Sequence, residues 1–205
     1  MYKRYIKRLI DLCLSVIAFI ILIPVYFIIA LLVRIKIGSP VFFKQERATI
    51  NGNSFYIKKF RTMTEAKDEK GNYLPDNERL TYFGRILRAT SLDELPEIMS
   101  IIKGELSIIG PRPLPVAYND YYTIDEKSRF KVRAGLIPPE VLYENLEPTW
   151  DEQLKYESDY AENVSFLLDV KILIAVFKGI FIRYKSDYGD YVREPLNIER
   201  KGELH

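Results

Sequence analysis

The apolar residues of this 205-residue chain are concentrated in one long run near the N-terminus. From Leu12 to Val33 the sequence carries no charge, and only Ser15 and Pro24 fall outside the apolar class. At 1.5 Å per residue the run covers about 30 Å, the thickness of the hydrocarbon core of a bilayer. It is too long for a cleaved signal peptide, and no small-residue cleavage site follows it. The pattern therefore predicts a membrane helix that the protein keeps.

The residues around this run predict how it sits in the membrane. Basic residues flank it on both sides, with Lys3, Arg4, Lys7 and Arg8 before it and Arg34 and Lys36 after it. Because positive charge favours the cytoplasmic side, both ends are expected there. Pro24 lacks the N–H that would bond the Ile20 carbonyl, and its ring clashes with that group, so a break is expected near the centre. We predict a re-entrant helix; a transmembrane helix with a tolerated proline is the alternative.

Shorter elements follow in the rest of the chain. Residues 41–60 read as a β-hairpin around the turn Asn51-Gly52-Asn53, and residues 64–78 as a polar loop or short helix. A helix is predicted to start at Thr90 or Ser91 and to stop at Gly104. Residues 106–109 form a short buried strand that ends at a Gly-Pro-Arg-Pro sequence.

Two further helices and a tail complete the predicted organisation. Residues 149–162 are expected to form an acidic, solvated helix. Residues 166–184 are strongly apolar, but Asp169, Lys171 and Lys178 argue against a membrane span. This second helix either packs in the core or lies in the membrane interface.

The predicted fold class is α+β. We expect a monotopic membrane protein with a proline-broken re-entrant helix, interfacial amphipathic helices and a small β-hairpin or sheet. The boundaries place a membrane anchor at residues 1–36, the main domain at 37–185 and a polar tail at 186–205.

Composition excludes several kinds of chemistry. The net charge is +2, which argues against binding to nucleic acid through bulk charge. One cysteine, Cys13, and one histidine, His205, leave no internal disulfide and no Cys/His zinc site, and argue against a histidine-based triad. Chemistry must therefore use carboxylates, lysines, arginines, hydroxyls or a hard metal ion bound by oxygen.

Asp93 and Glu94 are the candidate reactive groups. They lie in the first turn of the predicted helix, shortly after Arg85 and Arg88. In the structural interpretation, Ser91 and Glu94 have the spacing of a capping box, and acidic residues favour helix N-termini in any case. In the functional interpretation, amides and arginines keep a carboxylate charged, which suits it to bind a divalent cation or attack phosphorus. The same groups attract phosphate.

Two more basic elements support the functional interpretation. Arg112 lies between Pro111 and Pro113, whose fixed φ angles present it rigidly, although an exposed arginine in a turn is the simpler alternative. Lys59 lies in the basic end of the hairpin, where a charged strand edge is the alternative. Phosphate-binding groups, carboxylates and a membrane anchor together indicate a lipid phosphate as substrate.

Five motifs and the proline-broken helix, in this order, resemble the bacterial sugar transferase family, the monotopic phosphoglycosyl transferases, and in size its small members. The motifs are Lys7-Arg8-x-x-Asp11, Lys59-Phe60-Arg61-Thr62-Met63, Thr90-Ser91-Leu92-Asp93-Glu94-Leu95-Pro96, Lys103-Gly104-Glu105-Leu106-Ser107-Ile108-Ile109-Gly110-Pro111-Arg112-Pro113 and Asn163-Val164-Ser165-Phe166-Leu167-Leu168-Asp169. The resemblance covers nearly the whole chain and is specific because it rests on several ordered motifs.

The resemblance implies a re-entrant anchor on the cytoplasmic face of a bacterial inner membrane and a reaction in two displacements. Asp93 would attack the β-phosphate of a UDP-sugar, UMP would leave, and a polyprenol phosphate such as undecaprenyl phosphate would then take the phospho-sugar. It also implies Mg²⁺, with Asp93 and Glu94 as candidate ligands. Glu94 is a metal ligand, an orienting acceptor or a proton acceptor. Arg88 and Arg112 are the candidate phosphate contacts, and Lys59 a weaker one.

One segment departs from the family. Its members often continue an Arg-Pro-Gly opening with Ile-Thr-Gly and a Gln-x-Asn-x-Arg stretch. In residues 133–145 this chain has an apolar residue in place of the Gln and Asn145 in place of the Arg. The departure leaves the identity of the sugar open.

Two rival functions follow from the same sequence. One is a non-catalytic, membrane-anchored scaffold that binds anionic lipid through its basic clusters. The other is an enzyme that transfers only the sugar and releases UDP.

Overall fold

A computed structural model describes residues 1–143, 148–183 and 193–201 of the chain. Asn145, His205 and the predicted boundary between residues 185 and 186 lie outside the described residues. The helices are α1 (Lys7–Lys36), α2 (Asp76–Arg79), α3 (Tyr82–Ala89), α4 (Glu97–Lys103), α5 (Trp150–Asn163), α6 (Phe166–Arg183) and α7 (Leu196–Glu199). The strands are β1 (Phe42–Ala48), β2 (Ser54–Phe60), β3 (Ser107–Ile109) and β4 (Gly135–Ile137). The architecture is thus helices with two small sheets, as expected for an α+β protein.

The N-terminal helix is long and apolar enough to cross a membrane, by length and composition. A π-helical turn at Tyr2–Ile6 leads into α1, and the combined helix Tyr2–Lys36 has a mean hydropathy of 3.2 over its most apolar window. Pro24 lies inside α1, which is helical from end to end. Only 11% of the apolar window is buried against the protein, so most of it makes no buried contact with the described residues. The re-entrant path itself stays a prediction.

Both ends of α1 pack on the globular part of the chain. Its buried residues are Lys7, Asp11 and Ser15 at one end and Ile29 and Val33 at the other. Within each group the spacing of four residues keeps the side chains on one face of the helix. Across residues 16–28, all of which the structure describes, no side chain is buried. The helix is therefore docked at its two ends, with its middle exposed.

The Lys7-Arg8-x-x-Asp11 motif makes the first of these contacts. Lys7 Nζ is 2.8 Å from Asp169 Oδ2 in α6, and both side chains are buried. Arg8 donates to two carbonyl oxygens in the last turn of α4, at 2.6 and 2.8 Å, where a helix leaves its carbonyls without partners. Asp11 accepts a hydrogen bond from the Ser107 hydroxyl at 2.6 Å. The motif thus ties the anchor to α4, β3 and α6.

The predicted hairpin is confirmed. β1 and β2 pair in antiparallel register from Phe42 opposite Phe60 to Ala48 opposite Ser54, with the turn at Asn51-Gly52-Asn53. Since side chains alternate along a strand, Lys58 and Lys59 lie on opposite faces of this sheet. Ile57, on the same face as Lys59, packs in the core. Lys59 is thereby directed toward the protein interior and Lys58 away from it.

The helix predicted from Thr90 or Ser91 to Gly104 starts later than predicted but stops where predicted. The unpredicted helix α3 starts after Thr81, whose hydroxyl accepts a hydrogen bond from the Gly84 amide, and it ends at Ala89. The next α-helix starts only at Glu97, directly after Pro96. It stops at Gly104, whose φ of +84° suits glycine. Residues 90–96 are therefore a connection between two helices.

The predicted buried strand is confirmed as β3, and its partner β4 was not predicted. The two strands are parallel, with Ile109 opposite Ile137. A Cβ on Gly135 would come within 2.0 Å of the Gly110 amide nitrogen, so only glycine permits this close approach. Because the strands are parallel, the loops that follow them lie at the same edge.

The two C-terminal helices differ in part from their predictions. α5 is not simply solvated, since Leu154, Glu157 and Ala161 are fully buried. α6 buries Ile172 while Phe177 stays exposed, so one face packs in the core and the interface interpretation stays a prediction for the other. The described part of the predicted tail, residues 193–201, packs against the domain.

Candidate active site

Asp93 and Glu94 lie in a single 3₁₀ turn, Leu92–Glu94, between α3 and α4. Ser91 has a left-handed backbone with a φ of +54°, and its side chain accepts no capping hydrogen bond. The capping-box interpretation of Ser91 and Glu94 is therefore wrong. The physical reason is that α3 ends just before this turn and α4 begins only after Pro96, so no α-helix is present for Ser91 to cap.

The turn is held against the membrane helix by its apolar residues. Leu92 and Leu95 pack against a buried cluster of Ile29 and Val33 from α1 with Phe60 and Leu87. The Tyr26 hydroxyl, also on α1, donates a hydrogen bond to the Leu95 carbonyl. The two carboxylates therefore project from a turn that is fixed to the anchor.

Lys59 is brought directly to this turn. Its Nζ lies 2.6 Å from Glu94 Oε1 and 3.4 Å from Glu97 Oε1, on the first turn of α4. Burial alone would lower the pKa of Lys59, but the charges of Glu97 and Glu94 outweigh that effect and raise it. Lys59 is thus a permanent cation between two carboxylates.

Glu97 is the most buried carboxylate of the site. Its side chain is 3% exposed, and its Oε1 makes no hydrogen bond to any described part of the chain. Burial raises the pKa of Glu97 to about 7, against the lowering effect of Lys59. Burial also raises the pKa of Asp93, as does Glu94, while Lys59 and Arg88 oppose the shift. Three carboxylates therefore face one lysine, and the site carries an excess of negative charge.

This donor set fits a magnesium ion. Within residues 1–143, 148–183 and 193–201, no group of three or more Asp, Glu, His or Cys side chains has the geometry of a complete metal site. Mg²⁺ does not require one, because it commonly takes one or two carboxylates and completes its shell with substrate phosphates and water. Asp93 and Glu94 would supply those carboxylates, and Glu97, which pairs with Lys59 at 3.4 Å, lies beside them.

Arg88 and Arg61 make different contacts. Arg88, in the last turn of α3, is exposed, donates through Nε to the Thr62 hydroxyl at 3.1 Å, and lies close enough to Asp93 to lower its pKa. Arg61 is buried and donates to the carbonyl oxygens of Met63 and Ser39 at 2.9 and 2.6 Å. Arg88 is therefore available to a ligand, while Arg61 holds the backbone.

Arg112 lies in a second cluster, at the carboxyl ends of β3 and β4. Its side chain is 57% exposed, and Nε is 3.6 Å from Glu140 Oε1. Arg47, half-buried on β1, lies within electrostatic range of both Glu97 and Arg112, since the two affect its pKa in opposite directions. Burial, the larger effect, lowers the pKa of Arg47. Arg47 thus senses charges from both Glu97 and the second cluster.

Sequence reasoning missed Arg47, Glu97 and Glu140. Glu97 had a usable signal, because it follows Asp93 by four residues near a helix start. Arg47 could have been found from strand alternation, since it shares the face of Lys59. Glu140 had no usable signal in the sequence. The pairing of β4 with β3 brings Glu140 to Arg112, and β4 was not predicted.

Comparisons with known proteins extend over nearly the same range as these elements. The family model described as "Bacterial sugar transferase" matches residues 2–183. The chain is 41% identical over 185 residues to "Uncharacterized sugar transferase EpsL" of Bacillus subtilis, covering 86% of this chain and 88% of the relative. It is 32% identical over 191 residues to "Exopolysaccharide production protein ExoY" of Sinorhizobium fredii, covering 85% and 83%.

A longer relative carries the name of a reaction. The chain is 34% identical over 194 residues to the "UDP-glucose:undecaprenyl-phosphate glucose-1-phosphate transferase" of Klebsiella pneumoniae. That match covers 89% of this chain but only 41% of the relative. The similarity therefore covers most of this chain but less than half of that relative.

Proposed function

Because this chain belongs to the bacterial sugar transferase family, and is thus a phosphoglycosyl transferase, we propose that it transfers a sugar phosphate from a UDP-sugar to a polyprenol phosphate. The acceptor is undecaprenyl phosphate, by analogy with the named relative, and the products are UMP and a polyprenyl diphospho-sugar. The product starts the assembly of a glycoconjugate.

The observation that carries this proposal is that Asp93 and Glu94, the carboxylate dyad, lie on a turn packed against the membrane helix. Asp93 and Glu94 lie between Leu92 and Leu95, which pack against α1. A lipid-linked phosphate resides at the membrane surface, whereas a UDP-sugar arrives from water. A carboxylate that projects from a turn fixed to the anchor is within reach of both.

The first displacement uses Asp93 as nucleophile. A carboxylate oxygen attacks the β-phosphorus, the bond from that phosphorus to the bridging oxygen breaks, and UMP leaves with the bridging oxygen. The aspartate then carries the phospho-sugar as an acyl phosphate. Partial burial of Asp93 removes water from the attacking oxygen, which favours attack over solvation.

The cations of the site make this attack electrostatically possible. An anionic nucleophile and a diphosphate repel each other, so the charge on phosphate must be offset. Lys59 and Arg88 flank the dyad, and Arg112 offers an exposed guanidinium to a phosphate. Mg²⁺, held by Asp93 and Glu94, would neutralise phosphate charge when bound. Lys59, held by Glu94 and Glu97, keeps its charge at a fixed place.

The second displacement transfers the phospho-sugar to the lipid. A phosphate oxygen of the polyprenol phosphate attacks the same phosphorus, the acyl-phosphate bond breaks, and the Asp93 carboxylate is regenerated. The membrane anchor brings this acceptor to the dyad. Since both ends of α1 dock on one globular domain, a re-entrant path on the cytoplasmic face of a bacterial inner membrane fits the contacts better than a crossing helix.

The test is a nucleotide assay with matched variants. Purified protein in detergent or nanodiscs is incubated with Mg²⁺, undecaprenyl phosphate and a panel of UDP-sugars, and the released nucleotide is identified. We expect UMP from the wild type and a loss of at least about 1,000-fold in Asp93→Asn, with an unchanged melting temperature. Arg112→Lys retains the charge but loses the planar fork, so we expect weaker use of the UDP-sugar.

Two outcomes would favour the rivals. Release of UDP would indicate transfer of the sugar alone. Full activity of Asp93→Asn would contradict the covalent mechanism on Asp93. No nucleotide release with any UDP-sugar would leave a membrane-bound scaffold as the better description.

A further inference from the structure

Glu140 is a buried carboxylate to which the reaction as described gives no role. Its side chain is 12% exposed, and neither carboxylate oxygen makes a hydrogen bond to the described residues. A buried carboxylate without hydrogen bonds costs free energy, because it has lost its water. Glu140 also lies in residues 133–145, where the sequence departs from the common pattern of the family. An unusual residue in an unfavourable environment calls for a functional explanation.

The parallel pairing of β3 and β4 brings Glu140 to Arg112. Ile109 is opposite Ile137, and each of the two charged residues follows its strand by three positions. Their loops leave the same edge of the sheet, and Arg112 Nε lies 3.6 Å from Glu140 Oε1. Ligands commonly bind at the carboxyl ends of parallel strands. The contact is therefore set by the sheet itself.

The backbone of Arg112 is fixed independently of its side chain. Its amide donates to Glu157 Oε1 at 3.1 Å, and its carbonyl accepts from Arg129 Nη2 at 2.6 Å. Arg129 and Glu157 form an ion pair at 2.6 Å, with side chains 2% and 0% exposed. With the main chain held at both of its polar groups, the remaining freedom of Arg112 is in its side chain. Glu140 is the carboxylate that restrains it.

We infer that Glu140 is a positioning residue that aims the guanidinium of Arg112 at the phosphates of the nucleotide-sugar. Its contact is on the Nε edge of the guanidinium. The two terminal nitrogens, on the opposite side, are left for bidentate contact with a phosphate. Since Arg112 is more than half exposed, its outer end is open to a ligand.

The charge of Glu140 depends on the groups around it. Burial raises its pKa to about 7, and Glu157 on α5 adds to that shift, while Arg112 and Arg129 oppose it. The ionised form pairs with Arg112 and is present above about pH 7. The Glu140–Arg112 contact should therefore weaken as the pH falls below that value. The pH dependence of UDP binding is thus a second observable.

The inference rests on the proposed function, because it takes Arg112 as a phosphate contact, and the experiment separates the two. The probe is UDP, in the presence of Mg²⁺, bound to the full-length protein and followed by calorimetry. Glu140→Gln, Arg112→Ala and the double variant form a cycle. Glu162→Gln, an exposed glutamate on α5, is the control.

We expect Glu140→Gln to weaken UDP binding about tenfold, the effect of losing one charged contact. In the Arg112→Ala background the same change should have no effect, because Glu140 acts only through Arg112. The loss in Glu140→Gln should shrink between pH 8 and pH 6, and Glu162→Gln should match the wild type. Since Gln is nearly isosteric and uncharged, the melting temperature should not fall.

Three results would overturn the inference. If Glu140→Gln leaves UDP binding unchanged or tighter while Arg112→Ala weakens it, Glu140 does not position Arg112, and the proposed function is untouched. If the effects of the two changes simply add, Glu140 acts elsewhere. If Arg112→Ala itself binds UDP normally, Arg112 is not a phosphate contact; Asp93→Asn turnover then decides separately whether the proposed reaction stands.

Discussion

Lys58 and Lys59, adjacent in β2, lie in different environments. Lys59 lies between Glu94 and Glu97, while Lys58 is on the other face of the hairpin, opposite Lys44. Both lysines are visible in the sequence, but only strand alternation distinguishes them. The first prediction uses this pair because it offers a matched control within one strand.

Lys59→Ala should lower kcat/KM for the UDP-sugar by about 100-fold, the scale of losing one fixed charge beside the reacting groups. Lys58→Ala should stay within about twofold of the wild type, because its charge is screened by solvent on the far face. The measurement is the initial rate of UMP release over a range of UDP-sugar concentrations. Equal losses in both variants would show that β2 contributes only general positive charge.

Glu97 allows a prediction on stability. Its pKa is about 7 in the folded protein and 4.5 in the unfolded chain, so the folded state binds the proton more tightly. Above pH 7 the carboxyl is ionised in both states, and its burial then costs on the order of 3 kcal/mol. As the pH falls from 7 toward 4.5, the folded state takes up the proton and this cost disappears.

Glu97→Gln should therefore raise the free energy of unfolding at pH 8 and have little effect near pH 5. Denaturant titrations at the two pH values, without Mg²⁺, measure the difference. UMP release should fall in the same variant, because Lys59 loses one of its two partners. A stability change of equal size at both pH values would show that Glu97 is not a strained carboxylate.

At the scale of elements, what was predicted correctly depends on contacts local in the chain. The hairpin has its turn residues in sequence, and α4 ends at a glycine with positive φ. The start of α4 was predicted too early, since Ser91 and Glu94 match a capping pattern that the turn does not use. β4 was missed because a three-residue strand is defined by its partner rather than by its own composition.

Pro24 belongs to this scale, because it decides the path of a whole helix. α1 is already helical through Pro24, but Pro24→Ala restores the missing N–H and removes the ring clash, so a straight membrane-crossing path becomes more favourable. Crossing would carry Lys7 and Arg8 away from Asp169 and α4, at the loss of a buried ion pair and two hydrogen bonds. We therefore expect a mixed population and not a complete inversion.

Cysteine labelling measures this topology. Single cysteines are placed near Lys3 and in the 64–78 loop, in a Cys13→Ala background, and treated in intact cells with a reagent that does not cross the membrane. With Pro24 present, both sites should react only after lysis, whereas Pro24→Ala should expose a fraction of the Lys3 site. Labelling near Lys3 in intact cells with Pro24 present would contradict the re-entrant anchor.

At the scale of the whole molecule, the sequence indicated candidate site residues but not how they are grouped. Asp93, Glu94, Lys59 and Arg88 meet at one turn, and Arg112 lies in a second cluster with Glu140. This division depends on the pairing of β3 with β4 and on the buried Arg129 and Glu157 pair. Such contacts join residues far apart in the chain, and no local pattern specifies them.

The central claim is that a phospho-sugar is carried on Asp93 between two displacements. It is tested most directly by the first half-reaction. The enzyme is mixed with Mg²⁺ and a UDP-sugar that it turns over, labelled in the β-phosphate, with no acceptor present. The nucleotide is quantified, and the labelled peptide is located by mass spectrometry.

We predict a stoichiometric burst of UMP, label on the peptide that contains Asp93, and discharge of that label when undecaprenyl phosphate is added. Asp93→Asn should give neither burst nor label. If the enzyme releases UMP only when the acceptor is present and carries no label at any time, the transfer is direct and the covalent account is wrong.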